Sequence, residues 1–134
     1  MPIELVLGAV PIFVVDQASK ILALAHLHEK PARAPLAGPR LNPGPLHLVP
    51  SVPALIAVWL LALLALSLPG TPLDSVTTGA RAAAGVALGA AASNLLDLLA
   101  RGGVVDFIDV RVWPLFNLAD VALVMGVAGV VLLA

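Results

Sequence analysis

Four stretches of the chain are almost continuously apolar, and polar residues break into them at only a few places. The first runs from Pro2 to Leu27 and is interrupted by "DQASK" (Asp16–Lys20). The second, "VPALIAVWLLALLALSL" (Val52–Leu68), carries no charge. The third, "AAAGVALGAAASNLLDLLA" (Ala82–Ala100), is rich in small residues and contains Asn94 and Asp97, while the fourth, Pro114 to Ala134, contains Asn117 and Asp120. Each approaches the roughly 17–25 residues that cross a hydrocarbon core of about 30 Å. A backbone in lipid must satisfy its own hydrogen bonds, so helices are the expected form. The pattern predicts an all-α membrane protein: one domain, residues 1–134, with four transmembrane helices near 2–27, 52–68, 82–100 and 114–134.

The connections are less uniform. Residues 26–50 hold six of the twelve prolines, which rules out a helix over most of that length. The stretch is too long for a minimal connector. It reads as a proline-rich, partly β, extramembrane loop. The first apolar segment is not read as a cleaved signal peptide, because it lacks a basic n-region, opens with Glu4 and carries a charged pair late. The small residues of the third segment would let a neighbouring helix approach closely.

Composition strengthens the membrane reading. Of 134 residues, 60% are hydrophobic and 11% charged, whereas soluble domains run to about 45–50% apolar and about 25% charged. A net charge of −1 without a basic stripe points away from nucleic acid. The absence of cysteine excludes a disulfide framework and a cysteine nucleophile. His26, His28, Glu29 and His47 lie in or beside the proline-rich loop without a further ligand set, so neither metal nor cofactor is expected.

The candidate chemistry lies in the polar interruptions. A charge at mid-bilayer costs at least about 2.5–3.5 kcal/mol, so such residues face a bundle interior and mark function. Asp16 and Lys20 are spaced i, i+4 and can neutralise each other. Asn94 with Asp97, and Asn117 with Asp120, are spaced i, i+3, so each pair shares a helix face. Asp97 and Arg101 are again i, i+4. Asp106 falls just past the third segment and Asp120 just inside the fourth, so a short reversal would bring both carboxylates to one membrane surface. Two carboxyls in a poorly solvated site share a proton. The charged member can activate water and the protonated member can polarise a carbonyl. Asp109 reads as a solvated loop acid.

The series "VVDQASK", "LNPG", "SNLLDLLARGGVVDFID" and "FNLADVALVMG" resembles the bacterial lipoprotein signal peptidase (signal peptidase II) family over nearly the whole chain. The resemblance implies a four-helix aspartyl endopeptidase of the bacterial cell membrane; a monomer is expected. It would remove the signal peptide of prolipoproteins just before a diacylglyceryl-modified cysteine. Its partners would be those lipidated peptides and membrane lipid. By matching position, Asp106 and Asp120 resemble the catalytic pair. Asn94, Asp97 and Asn117 resemble its polar support, and Asn42 and Gly44 of "LNPG" the start of a substrate-lining stretch. Asp16 and Lys20 match a structural element of the first helix. Three positions depart from the family pattern: Pro45 replaces a small residue, Ser93 a glycine, and Leu98 an arginine expected to hold substrate backbone. Arg101, one turn from Asp97, is the candidate replacement for that arginine.

Orientation divides the signals. Lys30, Arg33, Arg40, Arg101 and Arg111 fall on loops one and three, against Arg81 on the other side. A positive-inside count would put those loops in the cytoplasm. The family resemblance implies the reverse, with an active site towards the outer face and both termini cytoplasmic, and we adopt that orientation. Two other functions fit parts of the pattern. One is a non-catalytic relative that binds lipidated peptides. The other is a small proton-coupled transporter component, with Asp16, Asp97 and Asp120 spread across the membrane depth as a relay.

Overall fold

The computed structural model describes residues 1–26, 36–42, 51–69 and 75–134. Within them the chain runs α1 (Ile3–His26), β1 (Leu36–Asn42), α2 (Val52–Ser67), α3 (Thr78–Arg101), β2 (Val104–Ile108) and α4 (Leu118–Leu133). Helices α1 and α3 have 24 residues each and are long and apolar enough to cross a membrane. Helices α2 and α4 have 16 residues each, which at 1.5 Å per residue gives about 24 Å.

Two helix starts differ from the pattern-based expectation, and both differences trace to capping. Helix α3 begins at Thr78 rather than Ala82, because Thr77 caps it by accepting from the Ala80 N–H at 3.1 Å. Helix α4 begins at Leu118 rather than Pro114. Phe116 is held in an antiparallel bridge to Ile108, its carbonyl accepting from the Ile108 N–H at 2.9 Å. Asn117 then opens the helix through a capping box with Asp120.

Helix α3 is the centre of the bundle, with α1 and α4 packed on it through small residues. A Cβ built on Gly89 would lie 2.2 Å from the carbonyl oxygen of Ala9, and one on Gly126 would lie 2.7 Å from the Ala87 nitrogen. No side chain larger than hydrogen fits those crossings. Helix α2 is peripheral and has no fully buried residue. It is tied to α3 by the Trp59 indole, which donates to the Leu88 carbonyl at 2.9 Å. Its Val58, Leu60, Leu61 and Leu64 face outward, as an apolar helix side in lipid would.

Gly102, at φ 74°, ends α3 in the left-handed region and turns the chain into β2. Strands β1 and β2 pair antiparallel, with Arg40 opposite Asp106, Leu41 opposite Val105 and Asn42 opposite Val104. The register shifts between Leu36 and Arg40. Val105 is fully buried, and Phe107 packs on Ala23 of α1. The small sheet therefore closes one end of the bundle. Strand β1 lies within the proline-rich stretch, whose residues 27–35 and 43–50 are outside the described residues.

Candidate active site

The polar residues of α1 and α3 meet on one interior line. Asp16, Gln17 and Lys20 are buried on α1, and Ser93 and Asp97 are buried on α3. The Lys20 ammonium, with a fully buried side chain, has three acceptors: Asp16 Oδ2 at 2.6 Å, Asp97 Oδ2 at 2.7 Å and Asn94 Oδ1 at 2.7 Å. That matches its three protons. Asp16 also accepts from the Ser93 hydroxyl at 2.6 Å and, through Oδ1, from the Ala119 N–H at 2.8 Å. A carboxylate thus sits against the first turn of α4, where the helix dipole favours negative charge.

Asp97 is surrounded by donors. Its Oδ2 accepts from Lys20 and from the Val105 N–H at 3.2 Å, and its Oδ1 accepts from Gln17 Nε2 at 3.1 Å and from Arg101. Arg101 also donates to Gln17 Oε1 at 3.3 Å. Asp16, Asp97, Lys20 and Arg101 together carry no net charge. Buried charges persist only when paired and hydrogen-bonded in this way.

Asn117 joins this base to the two acids singled out in the sequence. Its Nδ2 donates to Asp106 Oδ1 at 2.9 Å. Its backbone N–H donates to Asp120 Oδ2 at 3.1 Å, and its side-chain oxygen accepts from the Asp120 N–H at 3.0 Å. Asn94 Nδ2 donates to Asp120 Oδ1 at 3.1 Å. Asp106 and Asn117 are buried, and Asp120 is half-buried. Both carboxyl groups are therefore bound by the same residue, one by its side chain and the other by its backbone.

Of the residues predicted from sequence, Asp16, Lys20, Asn94, Asp97, Arg101, Asp106, Asn117 and Asp120 form one connected network. It lies where the C-terminal halves of α1 and α3 meet β2 and the start of α4. A relay of carboxylates spread through the membrane depth is not what the structure shows. Asn42 lies on β1 opposite Val104, while Gly44, Pro45, His28, Glu29 and His47 fall outside the described residues. Asp109 stays in the loop, accepting from the Arg111 N–H at 2.8 Å. Gln17 and Ser93 were not predicted as members. The signal was present in their positions, since Gln17 lies three residues before Lys20 and Ser93 four before Asp97.

Two apolar grooves reach the network from the side. One, of about 350 Å³, runs between α2, α3 and α4 past Leu55, Leu98 and Leu123 to Asn94. The other, of about 470 Å³, runs along α4 past Trp113, Phe116 and Val124 to Asp120. Asn94 thus borders the first groove and Asp120 the second.

The family model described as signal peptidase (SPase) II matches residues 8–134. A lipoprotein signal peptidase of Moorella thermoacetica is 45% identical over 76 residues, covering 57% of this chain and 47% of that protein. One of Syntrophomonas wolfei is 39% identical over 82 residues, covering 61% and 50%. The chain thus spans about half the length of these curated relatives. A solved structure of a bacterial membrane enzyme superposes with a TM-score of 0.73 at 23% identity, covering 96% of this chain and 85% of its own. That likeness concerns the fold.

Proposed function

The chain belongs to the signal peptidase II family, and on that premise we propose that it is an aspartyl endopeptidase of the bacterial inner membrane. It cleaves the signal peptide from prolipoproteins just before the diacylglyceryl-modified cysteine. The supporting observation is the shared residue: Asn117 binds both Asp106 and Asp120. One carboxylate takes a proton from a water, and the resulting hydroxide adds to the scissile carbonyl carbon. The partner carboxyl, protonated, donates to the carbonyl oxygen as negative charge develops there. Collapse of the tetrahedral species breaks the C–N bond, and the proton taken from water passes to the leaving amine. No covalent intermediate forms, and the two acids return to their starting charge. Asn94 and Asn117 hold the pair in place throughout.

In this reading all four helices span the bilayer. The site lies towards the outer face and both termini lie in the cytoplasm. Substrate enters sideways along the apolar grooves. The test is purified protein in detergent with a lipid-modified prolipoprotein. Mass spectrometry should find a new amino terminus at the modified cysteine and the intact signal peptide as the second product. An uncleaved precursor would leave only a lipopeptide-binding relative.

A further inference from the structure

We propose that Lys20 is a positioning residue for Asp120, acting through Asn94; the proposal rests on the peptidase reading for its kinetic consequences but not for its geometry. An asparagine amide has an acceptor end and a donor end, and its environment decides which end points where. A lysine ammonium only donates. Lys20 lies 2.7 Å from Asn94 and is fully buried between Asp16 and Asp97. It therefore fixes the Asn94 oxygen towards itself and turns Nδ2 outward, where it donates to Asp120 Oδ1 at 3.1 Å.

The second amide is fixed in the same sense. Asn117 Oδ1 is committed to the Asp120 N–H as the cap of α4, so Nδ2 must face Asp106 Oδ1 at 2.9 Å and Asn94 Oδ1 at 3.2 Å. Both Asn117 amide protons thus point towards Asp106 or the Asn94 oxygen, and one Asn94 amide proton points towards Asp120. With Lys20 gone, the Asn94 oxygen keeps only the longer bond from Asn117 Nδ2 at 3.2 Å and loses the shorter, charged donor at 2.7 Å, so the amide is held less firmly with its Nδ2 towards Asp120. The charged groups around the relay are Asp16 on α1, Asp97 and Arg101 on α3, Asp106 on β2 and Asp120 on α4. Arg40 on β1 lies opposite Asp106 in the strand register. None of these supplies a donor to the Asn94 oxygen.

Two substitutions separate this role from simple structural support. Asn94→Asp keeps the shape and the acceptor for Lys20 but removes the donor to Asp120. Lys20→Met removes the fixing donor. Asn94→Asp is expected to lower kcat by about 100-fold, the scale for loss of one preorganised donor, with KM within about twofold of wild type and a lowered thermal unfolding midpoint, because a second carboxyl then faces Asp120. Adding Lys20→Met to Asn94→Asp should lower kcat little further, because the relay is already cut. Wild-type kcat in a folded Asn94→Asp protein would overturn the relay while leaving the peptidase reading intact. A protein that cleaves nothing would defeat the peptidase reading alone. The relay would then be read from the Asn94 side-chain amide by NMR in micelles. That amide should be protected from hydrogen exchange in wild type and lose its protection in Lys20→Met. Fast exchange in wild type would refute it.

Discussion

Asp97→Asn replaces one oxygen by an NH2 group at a site where every neighbour is a donor. On one side stand Lys20 Nζ at 2.7 Å and the Val105 N–H at 3.2 Å, and on the other Gln17 Nε2 at 3.1 Å and Arg101. Whichever way the new amide turns, its nitrogen confronts two donors and cannot accept from either. The substitution also removes one of two negative charges that balance Lys20 and Arg101, leaving an uncompensated positive charge beside a fully buried ammonium. Breaking one partner of a buried pair costs about 3–5 kcal/mol. Arg101 is partly exposed and can recover some hydration, so the lower part of that range is expected. In detergent the thermal unfolding midpoint of Asp97→Asn should fall by several degrees. The precursor should still bind, because the Asp97 carboxylate is enclosed by protein and touches no groove. A variant as stable as wild type, or one that folds normally but has lost only substrate affinity, would refute this placement of Asp97.

Gly89→Ala should push α1 from α3, since its Cβ would sit 2.2 Å from the Ala9 carbonyl oxygen; overpacking of this kind costs about 1–3 kcal/mol, readable as a lowered unfolding midpoint. Asn117→Ala removes the cap of α4, about 0.5–2 kcal/mol, together with the bond to Asp106, so cleavage should fall far more than stability does. Trp59→Phe removes the indole bond to Leu88, about 1 kcal/mol, and should speed amide exchange in α2 while leaving α3 protected.

The helices were legible because lipid-compatible segments need long apolar runs, and α2 follows its run almost residue for residue. The start of α4 was not. Pro114, Leu115 and Phe116 continue the apolar pattern, but Phe116 pairs with Ile108, and strand pairing depends on a partner that periodicity within a segment does not reveal. The same limit hid the pairing of β1 with β2. At the site, helical spacing placed Asn94 with Asp97 and Asn117 with Asp120, because residues three or four apart share a face. It could not show which helix each face meets. Lys20 reads as the partner of Asp16 from spacing alone, yet it also reaches Asp97 and Asn94 across the helix interface. Arg101, the expected replacement for the arginine lost at Leu98, binds Asp97 and Gln17, while Leu98 lines an apolar groove.

The carboxyl pair is tested most directly by single-turnover cleavage of a lipid-modified precursor by Asp106→Asn and Asp120→Asn, each verified as folded. Each variant is expected to be slowed by about 10³-fold or more, and the double variant little further, since two groups that act as a unit are not additive. Near wild-type cleavage by either variant would contradict a mechanism in which both acids act on one water.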